Sequence, residues 1–225
     1  VTAEVLFDLE LDHGRCVGIR IPDDAGALDA LASAGLLPEE HAHAATLTPV
    51  RARTWVAGRA ALREAARRAG LPCMSPVLGD DRGAPRLAPG AAGSISHKEH
   101  VAVALVTPED GARVGVDVEV DVARKHDIAR RVLTAAELVE IEGLADGARS
   151  REILVRFSAK EAIYKALDPF VRRYVGFEEV AVTPLAGGSA RVVAELRHGE
   201  GPFAIAATWR AFDGLVLTTA RVARP

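Results

Sequence analysis

Two short stretches constrain this chain more than any other part of it: residues 114–119 (VGVDVE) and residues 157–166 (FSAKEAIYKA). The first consists of small, β-branched and acidic residues with no proline, and predicts a strand. Side chains alternate faces along a strand. Val116 and Val118 then point into a core, while Gly115, Asp117 and Glu119 point the other way. That sets two carboxylates about 6–7 Å apart along the backbone, where they repel unless a cation stands between them or one takes a proton. The second stretch predicts a helix. Leu154, Ser158, Glu161 and Lys165 recur at three- and four-residue steps and share a face. Glu161 adds a third carboxylate, with Lys165 one turn beyond it. Three carboxylates with room for water and a phosphate suit a hard cation such as Mg²⁺.

The remaining sequence sets the frame around this pair. A chain of 225 residues, 49% hydrophobic and 26% charged, buries a substantial core as one large domain or two small ones. A net charge of −3 lacks the basic excess of a nucleic-acid binder. No apolar run approaches the roughly 18 residues that span a membrane, and the opening VTAEVLFDLELDHG does not read as a signal peptide. Cys16 and Cys73 lack metal-site spacing, so free thiols and a cytoplasmic location are expected.

Taken in order, strands are predicted at residues 3–11 and 16–21, joined by a turn at Asp12-His13-Gly14, with a helix from Leu28 and another from Pro38. His41 and His43 are two apart and fall on different helix faces, against a metal role. A long helix is predicted from Pro49 to Ala69, stopped by Gly70 and Pro72. On it Arg59, Arg63 and Arg67 line one face, either as a solvated basic stripe or as guanidinium forks for phosphate. Residues 79–93 predict a loop, and Ser94-Ile95-Ser96-His97 leads into a strand at residues 101–106. Residues 121–131 read as loop and helix. Thr134 and Glu137 form a capping box for a helix to about Leu144. Ser150 opens the next helix, which ends at Asp168-Pro169. Strands at residues 177–183, 190–196, 203–212 and 215–222, split by Gly-containing turns, complete an α+β chain. No internal repeat is detectable in the sequence.

GVDVE followed about 40 residues later by FSAKEAIYKA resembles the paired signature of the Sfp-type 4′-phosphopantetheinyl transferases. RARTWVAGRAALREA (residues 51–65), RGAPRL (82–87) and GSISHKEHVAVAL (93–105) extend the resemblance, so that it spans roughly residues 45–180 in the family's order and leans toward the enterobactin-pathway branch. It implies two similar halves in a pseudo-twofold arrangement, residues 1–112 for the nucleotide of coenzyme A and residues 113–225 for the metal and the catalytic helix. It also implies a monomer that binds neither membrane nor nucleic acid. Its substrates are coenzyme A and an apo acyl or peptidyl carrier protein.

The resemblance further implies the site. Asp117, Glu119 and Glu161 hold Mg²⁺ (or Mn²⁺), with coenzyme A in a cleft between the halves. A carrier serine attacks the β-phosphate and adenosine 3′,5′-bisphosphate leaves. Glu161 is the candidate general base, and Lys165 and His97 neutralise phosphate charge. Arg53, Arg59, Ser96 and Lys160 are expected near coenzyme A, with a surface salt bridge as the other reading of Lys160. Ala84 stands where the family often has a basic residue, and Arg82 or Arg86 is expected to replace it. Arg172, Arg173 and Tyr174 are expected to meet the acidic carrier. Three other readings compete: a catalytically silent carrier-binding relative, a Mg²⁺-dependent enzyme acting on another pyrophosphate, and a structural α+β protein with coincidental acids.

Overall fold

The computed structural model describes residues 3–122 and 128–225. The chain divides into two compact units, Val1–Val114 and Gly115–Pro225. Part of the loop and helix expected at residues 121–131, namely residues 123–127, lies outside the described residues.

The first unit is an antiparallel four-stranded sheet in the order β1-β2-β4-β3, from β1 (Val5–Leu11), β2 (Gly14–Arg20), β3 (Ala91–Lys98) and β4 (Val101–Pro108). Between β2 and β3 come α1 (Ala25–Gly35), α2 (Pro38–Ala44) and α3 (Pro49–Ala69). Helix α3 begins with proline in its first turn and ends on Gly70, whose φ of 68° is the left-handed conformation that glycine takes without a Cβ clash. Its apolar side, with Trp55, Val56, Ala61, Leu62 and Ala65, packs on Val17 and Ile19 of β2 and Ala102, Ala104 and Val106 of β4. A fully buried side chain of the Val, Leu or Ile class contributes about 1.5–3 kcal/mol relative to exposure. Residues 94–97, expected as a lead-in, are instead part of β3. Their pairing with β4 runs unbroken from Ala91↔Pro108 to Lys98↔Val101.

The second unit has a five-stranded sheet in the order β5-β9-β8-β7-β6. Its strands are β5 (Arg113–Val120), β6 (Val180–Pro184), β7 (Ser189–Ala194), β8 (Ala204–Phe212) and β9 (Leu215–Ala223). The helices are α4 (Ala129–Val132), α5 (Ala135–Glu140) and α6 (Asp146–Val171), with one 3-10 turn at Phe177–Glu179. Ala159, Ala162, Ile163, Ala166 and Leu167 of α6 pack on Val180, Val182, Ala207, Ala220 and Val222. Three boundaries depart from the sequence reading, the strand expected from residue 177 beginning only at Val180 after the 3-10 turn. Helix α5 stops at Glu140 rather than Leu144. Helix α6 starts before Ser150 and continues through Pro169 to Val171, with Arg172 in the left-handed region at φ 50°. Proline removes an amide and crowds the carbonyl four residues back. In the last turn only two further helical residues follow it.

Set side by side, the two units disclose a repeat that the sequence had not shown. In each, a short helix carries a fully buried glutamate that caps its own N-terminus: Glu40 accepts the Leu37 amide, and Glu137 accepts the Thr134 amide. Each glutamate also accepts a distant backbone amide, from Val77 in one unit and Val182 in the other. Each pairs with a cation on the long helix, Arg63 or Lys160, at the same separation of 23 residues. One position on stand Glu64 and Glu161, and five positions on stand Arg68 and Lys165. The first strands match too, Phe7-Asp8-Leu9-Glu10 against Val116-Asp117-Val118-Glu119. The α1–α2 and α4–α5 segments differ in length, which hides the register from a linear reading.

Candidate active site

Asp117 and Glu119 are only 6% exposed, because α6 lies against their face of β5. Gly115 permits that approach: a Cβ there would stand 1.8 Å from the Ala162 carbonyl oxygen. Ser158, fully buried, donates to Asp117 Oδ2 at 2.8 Å. Lys165 donates to Asp117 Oδ1 at 2.9 Å and to the Val116 carbonyl at 2.8 Å. Thr218 of β9 donates to the Ser158 carbonyl at 2.8 Å, tying the neighbouring strand to the same turn of α6. Ser158 and Lys165 thus meet Asp117, and its charge reaches Glu161, whereas Leu154 packs with Val155 and Val216. Ser158 and Thr218 were not assigned roles from sequence. Ser158 could have been found by its place on the charged face, whereas Thr218 lies in an ordinary β-branched strand and gives no such signal.

Glu161 is half-buried and, among the described residues, makes no hydrogen bond or ion pair. Its carboxyl is pushed above the usual carboxylate range, first by burial and then by the charge of Asp117; Glu119 adds to this and Lys165 opposes it. Three acids therefore feel one another here, and all their donors are hard oxygens, the set a hard divalent cation prefers. Among the described residues no three His, Cys, Asp or Glu side chains stand at metal-ligating spacing.

Lys160 requires a correction. It is neither at the surface nor turned to a ligand. Its side chain is 0% exposed, and its ammonium donates to Glu137 Oε2 at 2.6 Å, the Val132 carbonyl at 2.8 Å and the Phe177 carbonyl at 2.9 Å. An ammonium has three donors, and all are spent. Burial lowers its pKa against the opposing pull of Glu137.

The expected coenzyme A groups of the first unit are spread over α3, the following loop and β3. Arg53 is half-exposed and donates to the Pro22 carbonyl at 3.0 Å and to Asp23 at 3.2 Å. Arg59 is buried, stacks 4.0 Å from the Trp55 ring centre and donates to the Val77 carbonyl; burial lowers its pKa to about 10. Arg63 is held by Glu40 and the Cys73 carbonyl, and Arg67 by Glu64. The arginine face of α3 is therefore no solvated stripe, because Arg59 and Arg63 are absorbed into the unit's own interior. Arg82 and Arg86 lie exposed in the loop, whose turn is set by Asp80 accepting the amides of Arg82 and Ala84. Ser96 is buried and His97 exposed, on alternate faces of β3. Arg173, expected at a docking surface, is instead clamped by Glu179 and Glu200, which leaves Arg172 and Tyr174 exposed beside it.

Residues 113–220 match the model of the 4′-phosphopantetheinyl transferase superfamily, and residues 39–107 match that of the 4′-phosphopantetheinyl transferase N-terminal domain. The chain is 29% identical over 192 residues to the 4′-phosphopantetheinyl transferase PptT of Mycobacterium tuberculosis, covering 81% of this chain and 84% of that protein. It is 40% identical over 76 residues to a holo-[acyl-carrier-protein] synthase of a Shewanella species, covering 33% of this chain and 58% of that protein. Among solved structures, it resembles a holo-(acyl-carrier-protein) synthase from Bacillus anthracis in complex with CoA (3′,5′-ADP), at 17% identity and a TM-score of 0.42. That match covers 50% of this chain and 96% of the other.

Proposed function

Because this chain belongs to the 4′-phosphopantetheinyl transferase superfamily, we propose that it transfers the 4′-phosphopantetheine group of coenzyme A to a serine of an apo acyl or peptidyl carrier protein. The serine oxygen forms a bond to the β-phosphorus, the pyrophosphate P–O bond breaks, and adenosine 3′,5′-bisphosphate leaves with the electron pair. The observation that carries this reading is the joint placement of Asp117 on β5 and Lys165 on α6, locked through Ser158 beside the unpaired, half-buried Glu161.

The residues have distinct work in this reading. Asp117, Glu119 and Glu161 would hold Mg²⁺, with Mn²⁺ as a substitute, and the ion when bound would neutralise pyrophosphate charge. Glu161, whose raised proton affinity suits a base, takes the serine proton directly or through water. Lys165 and His97 meet the charge of the transferred and leaving groups. Arg53, Arg59, Arg82 and Ser96 serve the nucleotide end, Arg53 and Arg82 through side chains with exposed surface and Arg59 through the shape of the wall it builds with Trp55. The division of work follows the halves, residues 1–112 for the nucleotide and 113–225 for metal and catalysis.

Within the family, the motifs at residues 51–65 and 93–105 favour the enterobactin-pathway branch. The reading has the protein act as a cytoplasmic monomer, in keeping with two unpaired cysteines, Cys16 with its thiol pushed up to about 12 by burial. Among the described residues, no helix is long and apolar enough to cross a membrane. The test is the intact mass of an apo carrier protein after incubation with this protein, coenzyme A and Mg²⁺. A gain of one phosphopantetheine is expected, and an unchanged mass across acyl and peptidyl carriers would overturn the reading.

A further inference from the structure

We infer that Lys160 and Glu137 form a buried clasp that sets the register of α6 and so positions Glu161, rather than binding coenzyme A. The inference rests on the catalytic reading of Glu161 given above. Three observations support it.

Lys160 gathers three separate segments onto one turn of the helix: the end of α4 through Val132, the start of α5 through Glu137, and the 3-10 turn through Phe177. Glu137 has no slack either. One oxygen accepts the Thr134 amide and Lys160, and the other accepts the Val182 amide, with Arg156 at 3.9 Å. Both side chains are at most 1% exposed. A buried pair with every polar atom satisfied admits few alternative arrangements.

The clasp also opposes the contacts on the other side of the helix. Ser158, Ala162 and Lys165 hold α6 to β5, while Lys160 and Tyr164 hold it to residues 176–177. Glu161 follows Lys160 directly, and among the described residues its side chain has no hydrogen bond to fix it. Its position is therefore inherited from the rotation and height of the helix.

The third observation is the other unit. Glu40 and Arg63 make the same clasp at the same separation, and the glutamate there likewise caps a short helix and takes a distant amide. There the acid one position on, Glu64, is neutralised by Arg67 and Arg68. A device present in both halves belongs to the architecture, and among the described residues it stands next to an unpaired acid in the second half alone.

The test compares two paired replacements in the full chain: Lys160→Met with Glu137→Leu, and Arg63→Met with Glu40→Leu. Replacing both members of a buried ion pair with apolar groups of similar volume often preserves folding, and thermal melting checks this. Glu137→Gln, which keeps shape and loses charge, is the milder second variant. The second-half variants are expected to lower kcat by about 10- to 100-fold, the scale of a misplacement near 1 Å. Their KM for coenzyme A should stay within about twofold, and the first-half pair should leave kcat near the wild-type value. A raised KM for coenzyme A with unchanged kcat would return Lys160 to the ligand. Equal kcat losses in both pairs, or none in either, would make the clasp structural only. If the wild-type protein itself transfers nothing, the failure lies with the proposed reaction and not with the clasp.

Discussion

A methyl group at position 115 would lie 1.8 Å from the Ala162 carbonyl oxygen, and the neighbour it meets is helix backbone rather than a flexible side chain. Gly115→Ala should therefore lift α6 from β5. Overpacking of this kind costs about 1–3 kcal/mol, read as a lower urea midpoint, and the Asp117–Lys165 contact should loosen with it. Glu161 behaves oppositely. Glu161→Gln breaks no side-chain contact among the described residues, so melting should shift little while transfer falls to background; Asp117→Asn, which weakens the Ser158 and Lys165 contacts, should lower both. Arg53 tests the nucleotide end. A hydrogen bond to a charged group contributes roughly 1.5–3 kcal/mol, so Arg53→Ala should weaken coenzyme A by about tenfold to a hundredfold more than dephospho-coenzyme A. Equal losses in a titration of both ligands would assign Arg53 to its Pro22 and Asp23 contacts alone. Asp117 with Glu119, and Glu161 with Lys165, were each legible as sharing a face because strand and helix periodicities place them without tertiary knowledge; the contact of Lys165 with Asp117 is tertiary. Lys160 was not. A lysine beside a glutamate on a helix reads as exposed, and the carbonyls that bury it come from Val132 and Phe177, remote in sequence.

At the scale of elements, Thr134 and Glu137 show how a short signal fixes a helix start. The Thr134 hydroxyl accepts the Glu137 amide at 3.2 Å and the glutamate returns the contact. Thr134→Ala should cost about 0.5–2 kcal/mol in chemical unfolding. The ends of α5 and α6 were less legible, because helix stops depend on what the next segment packs against, and Pro169 is tolerated by position rather than by residue type. Beyond α6, Arg173 joins the 3-10 turn to the β7–β8 connection through Glu179 and Glu200. It holds both carboxyls down to about 2 from a normal value of 4.5. A carboxyl with a depressed folded pKa stabilises above its unfolded value, and that stability is lost as pH falls through the folded value. The melting gap between wild type and Arg173→Met should thus be widest above about pH 5 and close toward pH 2. A gap that persists at pH 2 would mean that Arg173 acts by packing instead.

For the molecule as a whole, the sequence reading reached an α+β chain, which divides into the compact units Val1–Val114 and Gly115–Pro225. The similarity of the halves was implied by the resemblance, and its register is marked by Glu40 and Glu137, whose roles depend on burial and on amides from Val77 and Val182 that no linear pattern displays. Asp8 illustrates the divergence of the halves. It occupies the place of Asp117 but is neutralised by Arg15 and Arg68, with its carboxyl held at about 2 chiefly by the Arg15 hydrogen bond. In one half the aspartate is neutralised by two arginines, and in the other it meets Lys165 and Ser158. The most direct measurement is the mass of an apo carrier protein incubated with coenzyme A and Mg²⁺ and either the wild-type chain, Glu161→Gln, or the wild type in excess EDTA. A gain of one phosphopantetheine is expected with the wild type alone, absent in the other two and restored when Mg²⁺ or Mn²⁺ is returned to the EDTA-treated sample. Full modification by Glu161→Gln, or by the wild type in excess EDTA, would contradict this expectation.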